Sequence, residues 1–126
     1  MGKQDVPTTF ARFFKERRIA LGKTLREFCE ENGLDPGNIS KLERGLLPPP
    51  QSRDKAEQYA GFLRLKRELP EWTEFLDLAA AGAGRIPDDL QEAALLHRLP
   101  VLFRTLRGTK LKDDKLDELI DRLRKE

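Results

Sequence analysis

The stretch from Thr24 to Gly45, TLREFCEENGLDPGNISKLERG, constrains the fold more than any other part of this chain. Thr24 is a good N-cap for a short helix, and Gly33 can adopt the positive φ that a tight turn between two helices requires. Asp35 and Pro36 then favour a new helix start, because Asp caps well and Pro suits the first helical position. The sequence therefore predicts two short helices joined by a sharp turn.

The spacing of the apolar residues assigns the faces of these two helices. Phe28 and Cys29 are expected to face inward, and Cys29 is small enough for a place where two helices cross closely. Ile39 and Leu42 share one face of the second helix. The opposite, outward face then carries Gly37, Asn38, Lys41 and Arg44. Helix-turn-helix proteins contact DNA with such an exposed second helix.

The rest of the chain has helical periodicity, and no alternating strand pattern extends beyond a few residues. We therefore predict an all-α protein. Charged residues make up 37% of the 126 residues, which favours helices with wide solvated faces. A single cysteine excludes an internal disulfide and a Cys-rich metal site. We see no signal peptide and no apolar run near the ~20 residues of a membrane helix, so we expect a cytoplasmic protein without a membrane partner.

Three further helices complete the predicted domain, which spans residues 8–80. The first runs from Thr8 to Leu21 and precedes the two-helix stretch. Ser52 caps the fourth after a proline-rich connector, and the fifth follows Pro70 and ends in glycines. The core candidates outside the two-helix stretch are Phe10, Phe13, Phe14, Ile19, Ala56, Tyr59, Ala60, Leu63, Trp72, Phe75, Leu76 and Leu78.

Residues 85–126 are predicted to form a helical extension. Pro87 opens a helix, Pro100 kinks or restarts it, and Gly108 ends it. A last helix carries apolar residues at i, i+3, i+4 and i+7. This stripe needs a partner, which the chain itself or a second copy could supply, and we expect it to hold two copies of the chain together. Its members are Leu116, Leu119, Ile120 and Leu123.

The charge is distributed unevenly. Residues 1–53 carry ten Lys and Arg against seven acidic residues, whereas residues 54–126 carry fourteen against fifteen, which accounts for the net charge of +2. A basic N-terminal half is compatible with phosphate contact, although many helical surfaces are as basic.

From Phe10 to Leu78 the chain resembles the XRE, or Cro/phage-repressor, family of DNA-binding domains. Two motifs carry the resemblance, RIALG at residues 18–22 and ISKLERG at residues 39–45. The resemblance implies a five-helix repressor-like fold with a helix-turn-helix. It also implies that Glu43 pairs with Arg18 in a partly buried, bidentate ion pair, which would fix the recognition helix on the domain.

The chain departs from the family pattern at two places. Many relatives have Gln where this chain has Leu25, and many begin the recognition helix with polar residues where this chain has Pro36 and Gly37. Base reading would then depend on residues later in the helix, backbone amides and DNA shape. We expect DNA contacts from Lys23, Thr24, Leu25, Gly37, Asn38, Ser40, Lys41, Arg44, Gln51 and Arg53.

Alternatives remain for these residues. Asn38, Lys41 and Arg44 could form an ordinary solvated face, or could contact phosphates rather than bases. The Lys23–Leu25 segment could serve helix capping, phosphate binding at a helix N-terminus, or both.

No residue pattern indicates catalysis or a cofactor. His97 has no second His or Cys near it, and Asp88, Asp89, Asp113 and Asp114 fit the first turns of helices, where the helix dipole favours carboxylates. We therefore expect no enzyme activity, no metal and no cofactor.

The leading hypothesis is a homodimeric, sequence-specific DNA-binding transcriptional regulator that represses by excluding other proteins from a promoter. One alternative is an antitoxin whose C-terminal helices bind a toxin while its DNA binding regulates its own operon. A toxin-like reading frame beside the gene would favour that alternative. Another is a helix-turn-helix scaffold that no longer binds DNA.

Overall fold

The structure is a computed structural model that describes residues 9–109, 117 and 118. Every regular element of this part of the chain is helical, which confirms the predicted all-α class for it. The elements are α1 (Phe10–Ala20), α2 (Leu25–Asn32), α3 (Pro36–Glu43), α4 (Arg53–Phe62), α5 (Pro70–Gly82), a 3-10 turn (Asp88–Leu90) and α6 (Ala93–Thr109). Among the described residues, no helix is both long enough and apolar enough to span a bilayer.

The chain divides into two compact units between Asp88 and Asp89. The first unit has a core of aromatic and small residues, and α1 packs against α3 and α5 while α4 packs against α5. Phe14 is fully buried at its centre, with its ring 5.7 Å from Phe28 in an edge-to-face arrangement and 6.5 Å from Phe75. Such aromatic pairs add to the stability gained from burial.

Capping side chains set the starts of the helices in the first unit. The hydroxyl of Thr24 caps α2, the carboxylate of Asp35 caps α3, and the hydroxyl of Ser52 caps α4, all as predicted. Thr9 caps α1, so this helix begins at Phe10, slightly later than the predicted start at Thr8. Each cap satisfies a backbone N–H that the helix itself leaves without a partner.

One core prediction in α1 is wrong. Ile19 is 55% exposed, whereas its neighbour Arg18 is only 7% exposed. Hydropathy alone favours the opposite arrangement. The position of Arg18 faces the end of α3, where Glu43 receives the guanidinium and makes its burial tolerable.

The helices of the extension differ from the prediction in their bounds. Pro87 precedes a 3-10 turn, Asp88–Leu90, and not an α-helix, while α6 begins only at Ala93. Pro100 lies inside α6, which continues past Gly108 to Thr109. The ring of Pro100 removes one N–H from the helix, and in this exposed segment the carbonyl that loses its partner can bond water. The predicted stripe of Leu116, Leu119, Ile120 and Leu123 lies outside the described residues.

Candidate functional site

The connection between α2 and α3 is a three-residue turn. Gly33 has φ +66° and ψ 36°, which lie in the left-handed region. The N–H of Leu34 donates to the carbonyl oxygen of Cys29 at 2.9 Å, and Asp35 then caps α3. The carboxylate of Asp35 accepts from the backbone N–H of Asn38 at 2.9 Å. The turn therefore places α3 directly against α2.

The two faces of α3 have different functions in the structure. Ile39 and Leu42 are buried in the core of the first unit. The predicted outward residues are all exposed, and Ser40 is half-buried between the two faces. The exposed residues are Gly37, Asn38, Lys41 and, at the end of the helix, Arg44.

Arg18 and Glu43 are brought together at the end of α3. Arg18 Nε donates to Glu43 Oε2 at 2.7 Å, and Arg18 Nη2 donates to Glu43 Oε1 at 2.8 Å. The remaining nitrogen, Nη1, donates to the carbonyl oxygen of Lys23 at 2.9 Å. The hydrogen bonds to Glu43 raise the pKa of Arg18 above its ordinary value, although burial acts against the increase. One side chain of α1 thus positions the end of α3 and the residue that precedes the cap of α2.

The start of α2 has the helix-capping hydrogen bonds that one of the two interpretations of this segment predicts. Thr24 Oγ1 accepts from the N–H of Glu27 at 3.1 Å, while Glu27 Oε1 accepts from the N–H of Thr24 at 2.9 Å. These two bonds form a capping box. The ammonium of Lys23 pairs with Glu31, and Leu25 packs half-buried against the core. Phosphate contact from this segment would have to compete with the Lys23–Glu31 pair.

Gln51 and Arg53 are engaged within the chain. Gln51 Nε2 donates to the carbonyl oxygen of Pro49 at 2.9 Å, and Arg53 Nε pairs with Glu57 Oε2 at 3.0 Å. A DNA contact from either side chain would have to compete with these bonds within the chain. Both belong to the segment that connects α3 to α4 and begins α4.

Lys55 was not predicted as a site residue. It lines the same small cavity of about 110 Å³ as Asn38, and its ammonium lies 5.8 Å from the ring centre of Tyr59. The basic surface beside α3 therefore includes the first turn of α4. The available sequence signal was a lysine three residues after the capping Ser52, but only the fold places it near α3.

A larger apolar cavity of about 610 Å³ lies between the start of α1, the α3–α4 connector and the end of α5. The connector approaches α5 closely at Pro49 and Gly82. A Cβ atom added to Gly82 would lie 2.5 Å from Cγ of Pro49, which is closer than carbon atoms can pack. The absence of a side chain at Gly82 thus allows the connector to take its position.

The residues that could suggest catalysis or metal binding from the sequence are His97, Cys29 and the acidic residues such as Asp88. Within the described residues, no cluster of His, Cys, Asp and Glu could hold a metal ion. Asp88 pairs with Arg85 Nη1 at 2.9 Å, and His97 is exposed on α6. Cys29 is buried, and its burial raises the pKa of the thiol above the ordinary value.

Comparison of the chain with protein-family models, with curated proteins and with solved structures gave no match in any of the three. A functional assignment therefore depends on the geometry of the residues described above.

Proposed function

We propose that this protein is a sequence-specific DNA-binding transcriptional regulator of the XRE type, with α2 and α3 as its helix-turn-helix. The observation that supports this proposal most directly is that α3 has one face buried in the core and one face exposed. Its inner face is anchored through Ile39, Leu42 and the Arg18–Glu43 pair, while its outer face presents exposed polar side chains. A helix held in this way is suited to enter the major groove of DNA.

The outer side chains of α3 have the chemistry for reading bases. The amide of Asn38 can bond the N6 and N7 atoms of adenine, and Lys41 or Arg44 can donate to guanine O6 and N7 or to a phosphate. Lys55, on the side of the same small cavity, is placed for a phosphate contact. Together these four residues offer three cations and one amide to a strongly anionic ligand.

The first turn of α3 would contribute through its backbone. Pro36 and Gly37 are exposed and have no polar side chain, so this end of the helix can approach DNA closely. Selectivity would then come from the later residues of α3 and from DNA shape. Leu25, half-buried at the start of α2, could offer only its backbone amide.

We further propose that the regulator is a homodimer that represses by occupying a promoter. One recognition helix covers too few base pairs for high selectivity, and dimers present two such helices about 34–36 Å apart, one turn of DNA. The apolar stripe of Leu116, Leu119, Ile120 and Leu123 remains a predicted contribution to that dimer.

Selection of binding sites from random duplex DNA with the purified full chain tests this proposal. We expect one enriched motif with two-fold symmetry, and we expect Lys41→Ala to weaken binding to it. Lys66→Ala is the matched control, because Lys66 is an exposed lysine on the α4–α5 connector and not beside α3. Recovery of no enriched motif would contradict sequence-specific binding and favour the hypothesis of a scaffold that no longer binds DNA.

A further inference from the structure

One face of α6 is entirely apolar. Six side chains lie within about 120° of the helix circumference, because successive residues are about 100° apart. Leu95, Leu96, Leu102 and Phe103 are exposed, and Leu99 and Leu106 are half-buried along the centre of the face. We call these six residues the α6 stripe. An exposed apolar surface of this kind commonly marks an interaction site.

The spacing within the α6 stripe is symmetric. Leu95, Leu99, Leu102 and Leu106 are separated by four, three and four residues. The centre of this pattern lies between Pro100 and Val101. If two copies of α6 lie antiparallel about a two-fold axis at that centre, Leu99 of each copy faces Leu102 of the other. Leu95 likewise faces Leu106 of the other copy, so the stripe is complementary to itself.

The charges of α6 are compatible with the same pairing. The helix carries Arg98, Arg104 and Arg107 and no acidic residue. All three arginines lie outside the α6 stripe, so the antiparallel pairing places no charge in the apolar seam. The antiparallel arrangement also opposes the two helix dipoles favourably.

We infer that α6 is a dimerisation helix whose α6 stripe pairs antiparallel with the α6 stripe of a second copy of this chain. This inference deepens the proposed function. Its consequence for DNA, that the dimer presents two copies of α3, rests on that proposed function. The pairing itself can be measured without DNA. A specific interface generally exceeds about 1,000 Å² of buried surface, so a single helix pair is expected to associate weakly, at micromolar concentrations.

Sedimentation of the full chain over about 1–200 μM, without DNA, tests the pairing. We expect a monomer–dimer equilibrium that Leu99→Glu or Leu102→Lys each weakens by about tenfold or more, since each places a charge against an apolar residue. The double variant should recover part of the lost association, because Glu at 99 then faces Lys at 102 of the second copy. Val101→Glu is the matched control, since Val101 is exposed outside the α6 stripe of the same helix. Circular dichroism of each variant at low concentration verifies that the total helix content is unchanged.

Several results would overturn the inference. A chain that stays monomeric over the whole range would assign the α6 stripe to a different protein, as the antitoxin hypothesis requires. Single variants that weaken association without recovery in the double variant would indicate a parallel pairing. Loss of association in Leu119→Ser/Ile120→Ser, with no effect of Leu99→Glu, would assign the dimer to residues 116–123. A dimer that fails to bind DNA would contradict the proposed DNA binding and leave this inference intact. A monomer that binds DNA would contradict this inference and the proposed homodimer, and would leave the proposed DNA binding intact.

Discussion

Arg18 on α1 and Glu43 at the end of α3 form a bidentate ion pair in the interior of the first unit, with nitrogen–oxygen distances of 2.7 and 2.8 Å. Both side chains are less than a tenth exposed. Two parallel hydrogen bonds define a direction as well as a distance. The pair therefore fixes how α3 is rotated about its own axis relative to α1, and with it which residues face outward.

Removing one partner of this pair should destabilise the protein strongly. We expect Glu43→Ala to lower the free energy of unfolding by about 3–5 kcal/mol, because the guanidinium of Arg18 would stay buried without its carboxylate. Chemical denaturation of Glu43→Ala, Arg18→Ala and the double variant should show strong coupling between the two substitutions. Glu16→Ala is the control, since its pair with Arg12 is largely exposed and should contribute less than about 1 kcal/mol. Independent effects of the two substitutions would mean that the pair does not act as a unit.

The thiol of Cys29 should report opening of the α2–α3 crossing. It is 1% exposed, and burial raises its pKa, so the reactive thiolate is disfavoured in the folded protein. We expect slow labelling by a disulfide reagent under native conditions and much faster labelling in Glu43→Ala. Because the folded pKa is raised, the contribution of the neutral thiol to stability is lost as pH rises through that pKa. Labelling as rapid as that of the unfolded chain would contradict the burial of Cys29.

The capping box of α2 should make the stability of the protein depend on pH in the acidic range. Hydrogen bonds from Thr24, first from its backbone N–H, lower the pKa of Glu27. A carboxylate whose pKa is lower in the folded state stabilises the protein at pH values above its ordinary pKa. This stabilisation is lost as the pH falls through the pKa of the folded state. We expect Glu27→Gln to make the unfolding midpoint less dependent on pH between about pH 5 and pH 2.5. Glu30→Gln, at an exposed position of the same helix, is the matched control for the loss of one carboxylate.

Two helical glycines should respond oppositely to alanine. In Gly82→Ala the new Cβ would lie 2.5 Å from Pro49, so we expect a loss of about 1–3 kcal/mol as the connector is displaced. In Gly61→Ala, within α4, no atom lies within 4 Å of the new Cβ. That variant should gain about 0.5–1 kcal/mol from the better helix propensity of alanine. Thermal unfolding of both variants compares them, and equal effects would contradict the close packing of Pro49 on α5.

The proposed DNA binding should weaken steeply as salt rises, since phosphates that bind lysine and arginine release their counterions. Fluorescence anisotropy of a labelled duplex measures the slope of log affinity against log salt concentration. If Lys41 contacts a phosphate, Lys41→Ala should reduce the slope by about 1 and weaken all sequences alike. If it reads a base, the variant should instead lose about 1–3 kcal/mol of discrimination at one position. Affinity that does not change with salt would contradict both possibilities.

Local chemistry was sufficient to predict much of this fold. The caps at Thr24, Asp35 and Ser52 depend on neighbouring residues only, so the sequence places them within one or two positions. Ile19 was assigned to the core because hydropathy ranks it above Arg18. The burial of Arg18 depends on Glu43, 25 residues away. No helical period reveals this pairing, and only the family resemblance implies it.

The other differences also concern interactions that the local sequence does not contain. The sequence leaves open whether Pro100 kinks or restarts the helix. In the structure α6 continues through Pro100, because the loss is confined to one hydrogen bond in an exposed segment. Lys55 was missed because its position beside Asn38 depends on how α4 packs, which is decided by long-range contacts.

The two faces of α3, one packed in the core and one exposed, determine which substitutions this protein can tolerate. Asn38, Lys41 and Arg44 are exposed, and the hydrogen bond from Arg44 Nε to the carbonyl oxygen of Ser40, at 3.3 Å, stays within one helical turn. Substitutions at these positions should therefore be nearly neutral for stability. Ile39, Leu42 and Glu43 maintain the orientation of the helix whatever the outer residues are. If α3 binds DNA as proposed, new binding preferences could therefore arise by drift or by library selection at three positions, without compensating changes elsewhere in the domain.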